Sequence, residues 1–366
     1  MSEDFVPAAV EGSSGDFDRP HEPLEPTPSS IGVSADTEVA ECNSASTEAE
    51  ETTSFLWVGF VTEKKPGMGQ DGPPVIHSLT TAEGRRSIIA VFDGMGGAGS
   101  TLVPDIEQDR QVPMAYLASR IAAKAFLRGF SQLTTSMTPL EITNCLEGEV
   151  KRALVGLMER EGGSPSSRVR GDMIKNYPTT VAAAIIDDVP EGRRVHPIWA
   201  GDSRVYALLP DDSLLQQLTI DHTGSGDSND GGDAALTRCA TPEHVDLESA
   251  EYLLPADAVV FVATDGCFAY QPTQFLLTTL IEELDRSHDC DEYSAHLASS
   301  LSSVSGDDCA ISMLLPIGKS FADIRESFRP WLRELQDIRH VPRHNRFLTL
   351  NNNSTYLSLY RERMGL

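Results

Sequence analysis

The apolar residues of this chain fall into short runs that end abruptly at polar positions. The clearest run, residues 88–92, is rich in β-branched side chains and is followed by Asp93 and a cluster of glycines. A continuous apolar run of this length, bounded by glycine, predicts a core strand of a sheet. Apolar spacings of three and four residues predict helices over residues 104–132 and 139–161. Further apolar runs predict strands at residues 55–61, 179–186, 195–200, 205–209, 258–263 and 309–315.

Three of the predicted strands border an aspartate. Asp93 and Asp265 each follow an apolar run, and Asp307 stands just before the last one. A single aspartate at a strand end is typical of a cap or turn. Three that each adjoin a buried strand and a glycine predict a cluster at one end of a sheet. Buried carboxylates repel one another unless a cation neutralises them, and oxygen ligands select hard cations such as Mg²⁺ or Mn²⁺.

The two ends of the chain differ from residues 53–317, which we expect to form one catalytic domain. Residues 1–52 carry 13 acidic residues against one basic residue, Arg19, and show no periodic apolar face. Such a segment cannot bury enough apolar surface to offset its chain entropy, so we predict disorder. Residues 318–366 carry nine Lys or Arg against five Asp or Glu, and their apolar residues keep helical spacing. This predicts a helical extension that either docks on the domain or recruits an acidic or kinase partner.

The net charge and the cysteines exclude several classes of function. The formal net charge is −26, and because nucleic-acid binding needs Lys and Arg to neutralise phosphates, we expect no nucleic-acid partner. The six cysteines lack zinc-site spacing and are expected to be reduced. No run approaches the ~18 apolar residues of a membrane span, and the acidic N-terminus suits neither a signal nor a transit peptide. We therefore expect a cytoplasmic monomer with no membrane partner.

Six segments resemble, in order and spacing, the motifs of the type 2C family of metal-dependent serine/threonine phosphatases. They are Gln70-Asp71, Val91-Phe92-Asp93-Gly94-Met95-Gly96-Gly97, Pro178-Thr179-Thr180, Ala200-Gly201-Asp202-Ser203-Arg204, Ala263-Thr264-Asp265-Gly266 and Gly306-Asp307-Asp308. The resemblance covers residues 55–316. It implies an α+β fold in which two antiparallel sheets, flanked by helices, form a four-layer α/β-β/α sandwich. Within these segments, we expect Asp202 to pair with Arg204 and to fix the central strands.

The resemblance also implies an active site. The carboxylate of Asp93 would bridge two ions, Mn²⁺ or Mg²⁺, and the carbonyl of Gly94 would bind one of them. Asp265 and Asp307 match ligands of the other ion, whereas Asp71 matches a residue that acts through metal-bound water. The implied reaction is hydrolysis of phosphoserine or phosphothreonine in a phosphoprotein by a water that two ions activate. Asp93, Asp265 and Asp307 are then catalytic, and a cognate Ser/Thr kinase is a further expected partner.

Three positions depart from the pattern of the family. Lys175 stands where the family has an aspartate that would bind a third, weaker ion, so that site is left unassigned. Pro66 stands where the family has an arginine that holds the substrate phosphate, and Lys65 is the nearest phosphate-binding substitute. Met95 stands where many members have a histidine suspected as general acid, and a thioether has no proton to give. Because the three catalytic aspartates are present, we expect an active phosphatase. The missing arginine leaves open a catalytically silent binding or regulatory module with the same fold.

Overall fold

The computed structural model describes residues 55–81, 84–97, 99–105, 109–134, 136–160, 176–210, 215–224, 236–270 and 273–339. The N-terminal segment predicted at residues 1–52 lies outside the described residues, as does the C-terminal extension from residue 340 onward. Both assignments therefore stay predictions. Among the helices that are described, none is both long enough and apolar enough to cross a bilayer.

The strands are named in chain order. They are β1 (Trp57–Thr62), β2 (Val75–Thr81), β3 (Gly84–Val91), β4 (Leu102–Asp105), β5 (Arg110–Pro113), β6 (Val181–Val189), β7 (Gly192–Ala200), β8 (Arg204–Leu208), β9 (Leu215–Gln217), β10 (Glu248–Ser249), β11 (Tyr252–Leu254), β12 (Val259–Ala263) and β13 (Cys309–Leu314). The helices are α1 (Met114–Phe130), α2 (Pro139–Arg160), α3 (Thr273–Arg286), α4 (Cys290–Val304) and α5 (Phe321–Arg339), with a 3₁₀ turn at Asp265–Cys267.

Two antiparallel sheets form the centre of the fold. One has the strand order β1-β13-β12-β8-β9, and the other has the order β10-β7-β6-β3-β2, with β11 also paired to β7. Helices α1 and α2 pack on the outer face of the second sheet, whereas α3, α4 and α5 pack on the outer face of the first. A separate apolar cluster lies between the two sheets. The predicted four-layer α/β-β/α sandwich is therefore confirmed.

The second half of strand β3, residues 88–91, shows why a strand can be apolar at consecutive positions. Ile88 and Ala90 join the apolar cluster under α1 and α2, whereas Ile89 and Val91 join the cluster between the sheets. Successive side chains of a strand point to opposite faces, so a strand packed on both faces reads as a continuous apolar run. The predicted core strand follows directly from this burial.

The helix predicted over residues 104–132 begins ten residues later than expected. Strands β4 and β5 form a hairpin in front of it, and α1 starts at Met114. Pro113 explains the boundary, because proline cannot donate an amide hydrogen bond inside a helix and is tolerated only at its start. The prediction was wrong at this end because the apolar spacing was given more weight than this proline.

The C-terminal helix α5 packs onto the outer helical layer. Phe321, Ile324 and Phe328 are buried in the same apolar cluster as α3 and α4. The indole nitrogen of Trp331 donates a hydrogen bond to the carbonyl of Pro210, at 2.7 Å. The described part of the extension thus docks on the domain, as one of the two alternatives expected.

Candidate active site

The strand register brings the predicted site residues to one end of the sandwich. In the first sheet, Thr62 at the end of β1 pairs with Cys309 at the start of β13, and Ala263 at the end of β12 pairs with Ile311. The loops that carry Asp71, Asp265 and Asp307 therefore leave the sheet at the same end of its strands. In the second sheet, β3 ends beside the start of β6, where the segment with Asp93 begins.

The loop between β1 and Asp71 is tied to the start of β13. The two carboxylate oxygens of Asp308 accept hydrogen bonds from the backbone N–H groups of Lys64 and Gln70, each at 2.6 Å. The hydroxyl of Thr264 donates to the carboxylate of Asp71 at 2.8 Å and accepts from the N–H of Ala310 at 2.9 Å. Asp308 and Thr264 thus position Asp71 close to Asp265.

The backbone of Asp93 is held by the segment that precedes β6. Its carbonyl accepts from the N–H of Thr180 at 2.7 Å and from the hydroxyl of Thr179 at 2.9 Å. Its own N–H donates to the hydroxyl of Thr180 at 3.2 Å, and that hydroxyl contacts the hydroxyl of Ser203 at 2.7 Å. These buried hydroxyls hold the backbone of Asp93 and so fix the position from which its carboxyl group extends.

Two glycines of the site are required by close backbone contacts. A Cβ at Gly94 would lie 2.5 Å from the carbonyl oxygen of Ala115 and 2.7 Å from that of Gln70. A Cβ at Gly266 would lie 1.7 Å from the carbonyl oxygen of Asp308. Real Cβ atoms do not approach backbone this closely, so only glycine lets these segments meet.

The side chain of Asp93 lies next to the side chains of two other aspartates, Asp71 and Asp265. The carboxyl group of Asp93 lies close enough to interact directly with the carboxyl groups of both Asp71 and Asp265. Burial, and then the charges of neighbouring carboxylates, raise the pKa of Asp71 and of Asp93 well above the usual aspartate value. Burial and the charges of Asp202 and Asp307 raise the pKa of Asp265 to about 6. The charges of Asp71 and Asp265 thus disfavour the charged form of Asp93, whereas the interaction with Asp93 lowers the pKa of each of those two and offsets part of its rise.

Asp202 belongs to this acidic group, although the sequence analysis did not assign it to the site. Its charge raises the pKa of Asp93 and of Asp265, after the larger effect of burial. The expected pair of Asp202 with Arg204 is not formed. Arg204 instead pairs with Asp221, with nitrogen to oxygen distances of 2.6 to 3.1 Å. The Gly-Asp-Ser turn was interpreted as a hairpin, and only the register that places it beside Asp265 reveals this contribution.

Asp307 lies at the exposed rim of the acidic group. Its side chain is exposed, and its carboxylate accepts from the N–H of Asp308 at 2.9 Å. Its charge acts on Asp93 and on Asp265. Within the described ranges, no three His, Cys, Asp or Glu side chains converge on one point as a complete metal site. The structure thus brings the predicted residues into one neighbourhood, and their role as metal ligands stays a prediction.

Lys65 is exposed, and a different cation, Arg120, lies near enough to Asp71 for the two charges to interact. The charge of Asp71 contributes to the pKa of Arg120, which burial lowers below the usual value. The guanidinium of Arg120 lies 3.5 Å from the centre of the Tyr116 ring and 3.7 Å from the carboxylate of Glu63. No local pattern in the sequence points to Arg120, because it stands in an ordinary position of α1.

Comparison with known proteins supports the fold but not a close relative. No protein-family profile matches the sequence, and no curated protein matches it. Solved structures do match: Stp1, a serine/threonine phosphatase from Staphylococcus aureus, superposes with a TM-score of 0.50 and 15% identity, over 74% of this chain and 98% of its own. A bacterial serine phosphatase superposes with a TM-score of 0.50 and 14% identity, over 73% of this chain and 100% of its own.

This chain has the bacterial serine/threonine phosphatase fold. The resemblance found in the motifs is therefore confirmed at the level of the fold, and identities of 14 to 15% show the fold alone. PstP/Ppp from Mycobacterium tuberculosis superposes with a TM-score of 0.49 and 16% identity, over 72% of this chain and 98% of its own. The catalytic domain of PstP has been solved in complex with two manganese ions.

Proposed function

We propose that this chain is a metal-dependent phosphatase that hydrolyses phosphoserine or phosphothreonine in proteins. The observation that carries the proposal is the contact of Asp93 with both Asp71 and Asp265 at one end of the phosphatase fold. Buried like charges are costly unless a cation lies among them. A fold that nevertheless assembles them is adapted to hold cations, and the all-oxygen donor set suits Mn²⁺ or Mg²⁺.

The residues that would hold two such ions are those named from the motifs. They are Asp71, Asp93, Gly94, Asp265 and Asp307. Divalent ions bound there lower the pKa of a water and neutralise charge on a phosphate. Asp93 is suited to a central position, because its carboxyl contacts the other two buried acids. The Thr264 hydroxyl keeps Asp71 oriented, and the Thr180 and Ser203 hydroxyls keep the backbone of Asp93 in place.

We also propose that Arg120, rather than Lys65, supplies positive charge for the substrate phosphate. Arg120 is partly buried, its guanidinium stacks on the ring of Tyr116, and the charge of Asp71 acts on it. These contacts hold the guanidinium in one position. Lys65 is exposed, and an exposed lysine is screened by water and salt. The planar guanidinium group also binds two phosphate oxygens at once, which an ammonium group does not do.

The experiment that tests this function is phosphate release from a phosphothreonine peptide. The purified full chain should release phosphate with Mn²⁺ or Mg²⁺ and should stop when EDTA removes the ions. A surface variant, Asp257→Asn, is the matched control, because Asp257 only pairs with Lys319 at 3.7 Å. Undiminished release in EDTA would contradict metal dependence. Background release with either ion would favour the silent binding or regulatory module.

A further inference from the structure

Two buried cysteines lie close in sequence to two of the proposed metal ligands. Cys267 follows Asp265 by two residues, and Cys309 follows Asp307 by two residues. Both side chains are buried, at 1% and 0% exposure. Their thiols lie close enough to interact with each other. The phosphatase chemistry proposed above uses neither thiol.

The backbone places the sulfur of each cysteine beside the segment that carries the other. Gly266 lies against the carbonyl of Asp308, and a Cβ at Gly266 would be 3.4 Å from the sulfur of Cys309. The N–H of Thr264 donates to the carbonyl of Ala310 at 3.1 Å, and the thiol of Cys267 contacts the same carbonyl at 3.5 Å. The cysteines therefore face each other across a fixed junction between the 3₁₀ turn and β13.

We propose that Cys267 and Cys309 form a reversible disulfide that links the segment carrying Asp265 to the segment carrying Asp307. The formation of this bond depends on the junction alone, whereas its effect on turnover rests on the proposed function. Hydrogen peroxide is the oxidant. The two S–H bonds break and one S–S bond forms, while the two electrons and two protons reduce peroxide to two waters. A dithiol restores both thiols by exchange.

The position of the pair gives a small oxidant a short path to it. Gly306 and Asp307 are exposed at the rim of the site, and Cys309 lies just beneath them. A disulfide that forms and breaks inside a reducing cell is typically a redox-sensing one. The location next to the site, rather than in the remote core, is consistent with that role.

Closing the disulfide should disturb the proposed metal ligands. The sulfur atoms of two free thiols lie farther apart than the ~2 Å of an S–S bond, so the two sulfurs must move toward each other. Because no room for even a Cβ exists between Gly266 and the carbonyl of Asp308, we expect the backbone part of this movement to shift Asp265 or Asp307. A displacement of about 1 Å at a reacting site can cost ~10²-fold in rate. We therefore expect a loss of activity of at least about tenfold that a dithiol reverses.

The decisive experiment is peptide mapping of the full chain under non-reducing conditions after peroxide treatment. We expect one peptide pair joined through Cys267 and Cys309, about 2 Da lighter than the two thiol peptides together. We expect Mn²⁺ to bind at least about tenfold more weakly to the oxidised chain, measured by calorimetry. Reduction should restore both the separate peptides and the Mn²⁺ affinity.

Variants separate this pair from the other thiols. Cys267→Ala should keep its activity after peroxide treatment, whereas the matched control Cys290→Ala should lose activity as the parent does. Cys290 is half-buried at the start of α4. Unlinked Cys267 and Cys309 peptides, or a Cys267→Ala variant as peroxide-sensitive as the parent, would overturn the inference.

Mapping and Mn²⁺ affinity distinguish this inference from the proposed function. A reduced chain that binds Mn²⁺ but releases no phosphate would remove the phosphatase proposal and leave the disulfide to be judged by the mapping. An active chain with no disulfide would remove the inference alone. Mapping uses the unaltered chain, so a variant that fails to fold does not affect the test.

Discussion

The two ends of the sandwich bury charged side chains in opposite ways. Arg193 lies near the start of β7, at the end away from the candidate site, and its guanidinium is 3.1 Å from the carboxylate of Asp188. It also donates to the carbonyl of Ala258, at 2.6 Å, and so joins the two sheets. At the candidate site, by contrast, the carboxyl groups of Asp93 and Asp71 contact each other.

The difference separates structural charges from charges that serve a ligand. The charge of Arg193 is paired within the chain by Asp188, although Nη2 of Arg193 and Oδ2 of Asp188 make no hydrogen bond among the described residues. A group of buried carboxylates is relieved only by a proton or by a cation, and strongly perturbed pKa values of this kind cluster at functional sites. The raised pKa values of Asp71 and Asp93, due to burial and then to neighbouring charges, mark the functional end.

The largest effect should come from removing the central carboxylate. Asp93→Asn should lower phosphate release by at least ~10²-fold, because a charge placed to stabilise the transition state is lost. In the absence of metal, the same variant should be as stable as the parent or more stable, since like-charge repulsion is relieved. Turnover and thermal unfolding in EDTA measure the two effects. A variant that loses stability in EDTA would contradict the comparison.

The opposite result is expected at the other end. Arg193→Ala should destabilise the fold by about 3–5 kcal/mol, because breaking a buried ion pair leaves Asp188 without its partner. Urea unfolding measures the loss. The matched control is Arg194→Ala, one residue on and exposed, which should change stability by less than about 0.5 kcal/mol. Equal effects of the two variants would show that the buried pair has no special weight.

Metal addition should stabilise the fold through the acidic group at the candidate site, and not through the Arg193 pair. Saturating Mn²⁺ should raise the free energy of unfolding of the parent by about 3 kcal/mol at a hundredfold excess over the dissociation constant. Asp93→Asn should gain much less, whereas Arg193→Ala should keep the full gain on a lower baseline. Thermal unfolding with and without Mn²⁺ tests this, and an equal gain in Asp93→Asn would place the ion elsewhere.

Arg120 sharpens the comparison, since it is a cation placed next to the acidic end. Arg120→Ala should raise KM for a phosphopeptide about tenfold, the loss of about 1.4 kcal/mol of charge-assisted hydrogen bonding. Lys65→Ala is the matched control and should change KM by less than about twofold. A reversed order of the two effects would return the phosphate-binding role to Lys65.

The smallest effect concerns pH. The pKa of Asp265 is raised to about 6 by burial and by the charges of Asp202 and Asp307. The folded chain therefore keeps this proton in a range where the unfolded chain, with a pKa near 3.9, has released it. Its contribution to stability is present below about pH 4 and is lost as pH rises through about 6.

Asp265→Asn removes this titration. In EDTA, its stability relative to the parent should increase by on the order of 1 kcal/mol between about pH 5 and about pH 7. Urea unfolding at the two pH values gives the difference. A difference that does not change with pH would mean that Asp265 is charged throughout.

Much of the fold could be predicted from local sequence. The continuous run in β3 reflects burial on both faces, and β12 and β13 follow the same rule. The aspartates at the ends of these strands were visible because a charged residue interrupts an apolar run. The described structure confirms the four-layer sandwich, and it places these aspartates near one another at one end of it. That they bind metal stays a prediction.

What the sequence did not reveal depends on contacts between distant segments. Asp202 acts on Asp265 because β8 pairs with β12, a register that no local pattern specifies. Arg120 reaches the site because α1 packs beside the loop of Asp71, where the hydroxyl of Ser119 donates to the carbonyl of Gln70 at 2.6 Å. Spacing along the chain carries no information about either contact.

The tie made by Asp308 has a consequence for the order of folding. Its bonds to Lys64 and Gln70 span 244 and 238 residues, and β13, which begins just after it, lies between β1 and β12 in the sheet. During synthesis from the N-terminus, β1 has no partner in its sheet until β13 has emerged. Contacts of such long sequence separation form slowly, because a long loop must close first. On the ribosome, the loop that carries Asp71 can be tied to Phe92 and Ser119 early, but its bonds to Asp308 form only when nearly the whole domain has been made.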